Sequence, residues 1–252
     1  MRRKAGIMLL LGAAATMVLA ASGAAQTKSP TQKAGSGVNA AASAAYPAAL
    51  LKPETLTAKA PEVFEVKFIT SKGEFMVKVT RAWAPNGADR FYNLVRSRFY
   101  DGASFFRVVQ GFVAQFGLSA HPAVSKAWSA ARIQDDPVAQ SNKKGSLTYA
   151  MAGPNTRTTQ LFINLADNAR LDGMGFSPFG EVTQGMEVVE QLYSGYGDGA
   201  PRGSGPGQDL IQGQGRAYLE KEFPLLDSIQ TARIVSPIRQ SAPAKRPPAK
   251  KQ

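Results

Sequence analysis

The chain contains no cysteine. Disulfides, zinc–thiolate sites and thiol nucleophiles are therefore excluded. Histidine occurs once, at His121, so multi-histidine metal sites and the usual serine triads lack their base. Tryptophan is nearly as scarce, with only Trp83 and Trp128. No repeat of a fixed period is visible, and only one long apolar run exists, near the N-terminus. Acids are few against bases, 18 to 30, giving a net charge of +12. That excess sits at the two ends. Residues 1–60 carry seven Lys/Arg and one acid, residues 238–252 carry five and none, and the stretch between is +1. A folded nucleic-acid surface needs cations clustered on one face. The near-neutral middle does not supply them, and no nucleic-acid partner is expected.

The ends read as leaders and spacers. Arg2, Arg3 and Lys4 precede an apolar run from Ile7 to Leu19, followed by small residues to Ala25. This is the layout of a cleaved signal peptide, residues 1–25. It predicts an exported protein, periplasmic or secreted, whose core must hold without disulfides. Residues 26–60 are rich in Ala, Ser, Thr, Pro and Lys, and read as a disordered linker. Residues 238–252, which include SAPAKRPPAKKQ, read as a disordered basic tail. Adhesion of that tail to anionic membrane or cell wall is the alternative to a merely solubilising role.

Residues 61–237 carry the pattern of an ordered, mainly β domain. In VFEVKFIT, Phe64, Val66 and Phe68 alternate with Glu65 and Lys67, the period of a half-buried strand. Ser71-Lys72-Gly73 is a turn into a second alternating run, so a hairpin is expected. In APNGADRFYNLVRS, Phe91, Leu94 and Val95 share one helical face, with Asn86 as candidate cap. Residues 104–109 and 111–117 read as strands joined at Gly111. SLTYAM, QLFINL, FGEV and LDSIQTARIV read as further strands, and QGMEVVEQLYS as a second helix. Residues 118–144 have no clean period. The glycine-rich stretch GYGDGAPRGSGPG lacks the strand–helix context of a phosphate loop. Short strands with two helices suggest an antiparallel sheet closed on itself, which removes exposed strand edges.

One stretch stands out. FFRVVQGFVAQFG, residues 105–117, is almost wholly apolar but holds Arg107 and Gln115. A guanidinium there is either a snorkelling edge-strand side chain or a functional group. With AGPNTRTTQLFI (152–163) and LDGMGFSPFGEV (171–182), this stretch resembles the cyclophilin family of peptidyl-prolyl cis-trans isomerases. The resemblance spans roughly residues 62–235. It implies a closed eight-stranded antiparallel β-barrel capped by two α-helices, an isomerase or rotamase activity in protein folding, no cofactor and no metal. It implies proline-containing polypeptides as clients and a monomeric state.

By the same resemblance, Arg107 and Gln115 are the catalytic candidates. Phe112, Val113, Phe162 and Leu171 match the apolar proline pocket, with Gln160 beside it. Ala150, Met151 and Ala152 match the backbone rail that pairs with bound peptide. Three positions depart from the family pattern. Met151 stands where asparagine is common, Arg170 where tryptophan is common, and Gly175-Phe176 replaces a pocket histidine. Either Gly175 or Phe176 completes the pocket, and the loss of tryptophan bears on cyclosporin binding.

The chemistery required of the arginine follows from the imide bond. Rotation about X-Pro is slow because the nitrogen lone pair is delocalised into the carbonyl. In the twisted transition state the lone pair returns to nitrogen, and a donor aimed at it binds that state better than either planar one. Arginine supplies a permanently charged, planar set of donors and needs no proton transfer. Gln115 would either donate to the swinging carbonyl or position Arg107. A binding module that grips proline segments with little catalysis is the alternative.

Overall fold

The computed structural model describes residues 46–237. The stretches expected to be a signal peptide (1–25) and a basic tail (238–252), and residues 26–45 of the expected linker, lie outside the described residues. Eight strands form one antiparallel sheet: β1 Val63–Thr70, β2 Gly73–Thr80, β3 Arg107–Val109, β4 Val113–Phe116, β5 Ser146–Tyr149, β6 Leu161–Asn164, β7 Pro178–Gln184 and β8 Ile229–Pro237. Their spatial order is β3-β4-β6-β5-β7-β2-β1-β8. The β1–β2 hairpin has the expected register, with Phe68 opposite Phe75 and Thr70 opposite Gly73. Phe64, Val66, Phe68, Phe75, Val77 and Val79 all point into the core. Alternation of burial along a strand is what one wetted face demands.

The expectation of a closed barrel is corrected. The sheet is curled and open, because its edge strands β3 and β8 form no continuous ladder. β3 has only three residues to offer the nine of β8. The two edges approach through one isolated bridge, Ser104 to Ser228, and a few bonds around it, such as Phe105 N–H to the Asp227 carbonyl at 2.9 Å.

Two helices were expected, and the described residues contain five α-helices: α1 Pro85–Arg96, α2 Pro122–Trp128, α3 Met186–Glu190, α4 Gln208–Gln214 and α5 Arg216–Glu222. α1 and α3 are the expected pair, with Phe91, Leu94, Val95 and Val189 buried. α2 lies in the stretch that showed no period. It is short, and its inward residues Val124 and Trp128 are four apart, too few to reveal a repeat. α4 and α5 cover a satellite cluster of Phe106, Leu118, Ile211 and Leu219. Phe105 and Phe116 join the main core, whereas Phe106 belongs to the satellite cluster.

Asn86 does not cap α1. The helix starts at Pro85, and its first amides are met from elsewhere in the chain. The Asp136 carboxylate accepts Asn86 N–H and Gly87 N–H, each at 2.9 Å. A carboxylate at a helix N-terminus also complements the helix dipole.

Residues 46–60, read as part of the linker, are instead packed onto the domain. Leu50 is 1 % exposed, and Trp128 Nε1–H donates to its carbonyl at 2.8 Å. Tyr46 packs against His121 with ring centroids 4.9 Å apart. Ala60 N–H donates to Asp89, and Asn93 bonds both backbone groups of Ala58. Composition averages over the segment, whereas one leucine in a preformed hole is enough to anchor it. Leu50→Ala is expected to cost about 2–4 kcal/mol through lost burial and a residual cavity. Urea denaturation followed by tryptophan fluorescence checks this, and an unchanged midpoint would return the segment to a spacer.

Candidate active site

Strand register explains how a charged residue sits in an apolar run. Arg107 on β3 lies opposite Gln115 on β4, and Gln115 lies opposite Phe162 on β6. Directly opposed residues share a face of the sheet, and Val113, two along from Gln115, is on that face too. The other parity, Val108, Ala114, Phe116, Leu161 and Ile163, fills the main core. Arginine and glutamine therefore alternate outward while their neighbours alternate inward. At the end of β4 the chain runs against the 152–160 loop. An added Cβ on Gly117 would lie 2.4 Å from the Thr159 carbonyl oxygen, so only glycine permits the approach.

On this face lies a cleft of about 850 Å³. Its apolar floor is a separate buried cluster of Val113, Phe162 and Leu171, with Phe112, Ala150 and Phe176 packed against it. Leu171 comes from a 3₁₀ segment, Ala169–Met174, that ends at Gly175 in a left-handed conformation, φ 86°. That turn swings the next residue inward. Phe176 meets Phe162 edge to face at 5.7 Å, and it is Phe176 that completes the recess. Arg170 stands on the rim with its guanidinium 4.8 Å from the centre of the Phe112 ring. The two side chains make a cation–π contact at the rim.

Of the ten residues expected at the site, eight line this cleft: Arg107, Phe112, Val113, Gln115, Ala150, Met151, Phe162 and Leu171. Ala152 and Gln160 instead border a separate recess of about 220 Å³. Gln160 still reaches the site through Gln115. The backbone of 150–152 is partly engaged, Ala150 N–H with the Gln160 carbonyl and Ala152 N–H with Thr156 Oγ1.

Arg107 sits at the polar wall. Its Nη1–H donates to Gln115 Oε1 at 3.1 Å, and Gln115 Nε2–H donates to Gln160 Oε1 at 3.0 Å. A guanidinium only donates, so the Gln115 amide must turn its oxygen toward Arg107. This geometry supports the positioning role for Gln115 over donation to a substrate carbonyl.

The residue absent from the sequence reading is Asp198. Its carboxylate receives Arg107 Nε–H at 2.8 Å and Nη2–H at 3.1 Å. The Arg107 hydrogen bond is the main reason its pKa falls to about 2, aided by the charges of Arg107 and Arg202 and by Gly199 N–H, against the effect of burial. Asp198 belongs to the glycine-rich stretch, which with α4 forms one side of the cleft. One acid in a glycine-rich loop, 91 residues from its partner, carries no local signal of the pairing.

The fold and site now define the class. A cyclophilin-type peptidyl-prolyl cis-trans isomerase from Cryptosporidium parvum superposes with TM-score 0.52 at 20 % identity, over 69 % of this chain and 98 % of that one. At that identity the likeness concerns the fold. The sequence itself goes further. Residues 65–208 match the family model for cyclophilin type peptidyl-prolyl cis-trans isomerase. A peptidyl-prolyl cis-trans isomerase of Streptomyces antibioticus is 34 % identical over 148 residues, 55 % of this chain and 87 % of the relative. Peptidyl-prolyl cis-trans isomerase B of Escherichia coli is 31 % identical over 136 residues, 50 % of this chain and 82 % of the relative. The chain belongs to the cyclophilin-type peptidyl-prolyl cis-trans isomerase family.

Proposed function

We propose that this protein accelerates cis–trans rotation of X-Pro bonds in exported polypeptides, with Arg107 stabilising the twisted imide while the apolar recess holds the proline ring. The observation that carries the reading is the juxtaposition of one guanidinium with the Val113–Phe162–Leu171 floor in a single cleft. The signal-like residues 1–25 motivate the exported setting, and residues 238–252 add a basic tail. No nucleophile or proton donor is needed, so the lack of cysteine and the single histidine are no obstacle.

The magnitudes are compatible. A ~10⁵-fold acceleration requires about 7 kcal/mol. One preorganised charged donor in a partly dry site contributes about 3–4 kcal/mol, by analogy with oxyanion-hole groups. The remainder falls to immobilising the proline and excluding water.

The test is exchange spectroscopy on a short Ala-Pro peptide with purified protein. Cross-peaks between cis and trans forms should appear at catalytic protein concentrations. Peptide binding without faster exchange would replace the enzyme reading with that of a proline-segment binding module.

A further inference from the structure

We propose that Asp198 is a positioning residue for the isomerisation, holding the Arg107 guanidinium plane fixed at the wall of the cleft. The inference rests on Arg107 being the group that stabilises the twisted imide.

The geometry is that of a two-sided clamp. Asp198 engages Nε–H and Nη2–H along one edge of the guanidinium, and Gln115 engages Nη1. Three of the five N–H donors of an arginine are thus occupied, leaving two for a substrate. A hydrogen bond to Gln115 alone would leave the plane able to swing about a long, flexible stem, whose rotamer freedom is worth about 2 kcal/mol. A bidentate carboxylate removes that freedom, because its two oxygens match two parallel N–H vectors.

The carboxylate is itself held. Oδ1 accepts Gly199 N–H at 2.8 Å and Oδ2 accepts Arg202 Nε–H at 3.0 Å. The Asp198 carbonyl accepts Gly205 N–H at 2.8 Å. Gly203 lies so close that an added Cβ would sit 2.2 Å from that carbonyl oxygen. The loop is pinned to the fold by Tyr196, whose ring meets Tyr193 at 5.1 Å and Phe223 at 5.0 Å. The glycines of this stretch therefore let the backbone fold tightly around one acid, which points at one arginine.

The experiment compares the full chain with Asp198→Asn, Asp198→Glu and the Arg107→Ala/Asp198→Asn double variant, using Ala-Pro peptide exchange. Asp198→Asn is expected to lower kcat by ~10- to 100-fold, the scale of a misplaced catalytic group, with KM within about twofold, since the apolar floor is untouched. Asp198→Glu should recover part of the loss. The ¹⁵N signal of Arg107 Nε should shift in Asp198→Asn even in a well-folded sample. In the Arg107→Ala background, Asp198→Asn should add nothing, because it acts through that arginine.

A kcat near wild type in Asp198→Asn, a rise in KM alone, or a further loss in the double variant would each overturn the proposal. Full activity in Arg107→Ala would instead remove the arginine mechanism. Impaired Arg107→Ala beside normal Asp198→Asn removes only the role of Asp198. Should Asp198→Asn prove poorly folded, Gly203→Ala displaces the same carboxylate through the backbone and must give the same kcat loss at unchanged KM, or the proposal falls.

Discussion

Arg107→Ala is expected to lower kcat/KM for an Ala-Pro peptide by ~10²–10³-fold, the effect of deleting one preorganised donor in a partly desolvated site. The loss should fall on kcat, because the donor gains strength only when the imide nitrogen regains its lone pair. The floor of the recess is made by Val113, Phe162 and Leu171, so ground-state affinity should change little. The variant should also fold. Asp198 keeps Arg202 and Gly199 N–H as partners, and Gln115 keeps Gln160. Arg107→Lys should be intermediate, since an ammonium keeps the charge but not the planar fork. A folded Arg107→Ala that accelerates exchange at nearly the wild-type rate would end the mechanism.

The second large effect concerns stability. Arg157 lies within AGPNTRTT and is 1 % exposed. Its guanidinium donates to Asp135 at 2.9 Å, to Asp136 at 3.2 Å and to the Gln134 carbonyl. Asp136 at the same time holds the N-terminus of α1, and its own carbonyl accepts Ser177 Oγ–H at 2.6 Å. One buried carboxylate thus joins the first helix to the loop that carries Arg157. Asp136→Ala should cost about 3–5 kcal/mol, because it leaves a buried charge short of a partner and strips the helix of its cap. Arg157→Met should cost less than Asp136→Ala, since it takes the buried cation away instead of stranding it. Urea unfolding with an unchanged m-value checks both. Equal midpoints for Asp136→Ala and wild type would show that the cluster contributes nothing.

Much of the site was legible because it is built on strands. A period of two places Arg107, Val113, Gln115 and Phe162 on one face once the pairing is known, and the family resemblance named the same residues. The 171–176 segment was less legible. Whether Gly175 or Phe176 faced the recess depended on where the 3₁₀ turn ended, and Gly175 at positive φ decided it. Asp198 was not legible at all. Its partner is distant in the chain, and glycine-rich loops carry no period from which direction can be read.

The same division holds for the fold. The sequence alone determined the strands, the β1–β2 hairpin, the inward face of α1 and the near-neutral charge of the domain, because each depends on neighbours a few residues apart. Tertiary structure alone decided which group caps α1, that Leu50 anchors residues 46–60, that β3 and β8 leave the sheet open, and that an acid from the glycine-rich loop clamps Arg107. Those outcomes turn on complementarity between surfaces far apart in the chain. No local propensity encodes them, since each partner is a plausible solvent-facing residue until the other is in place.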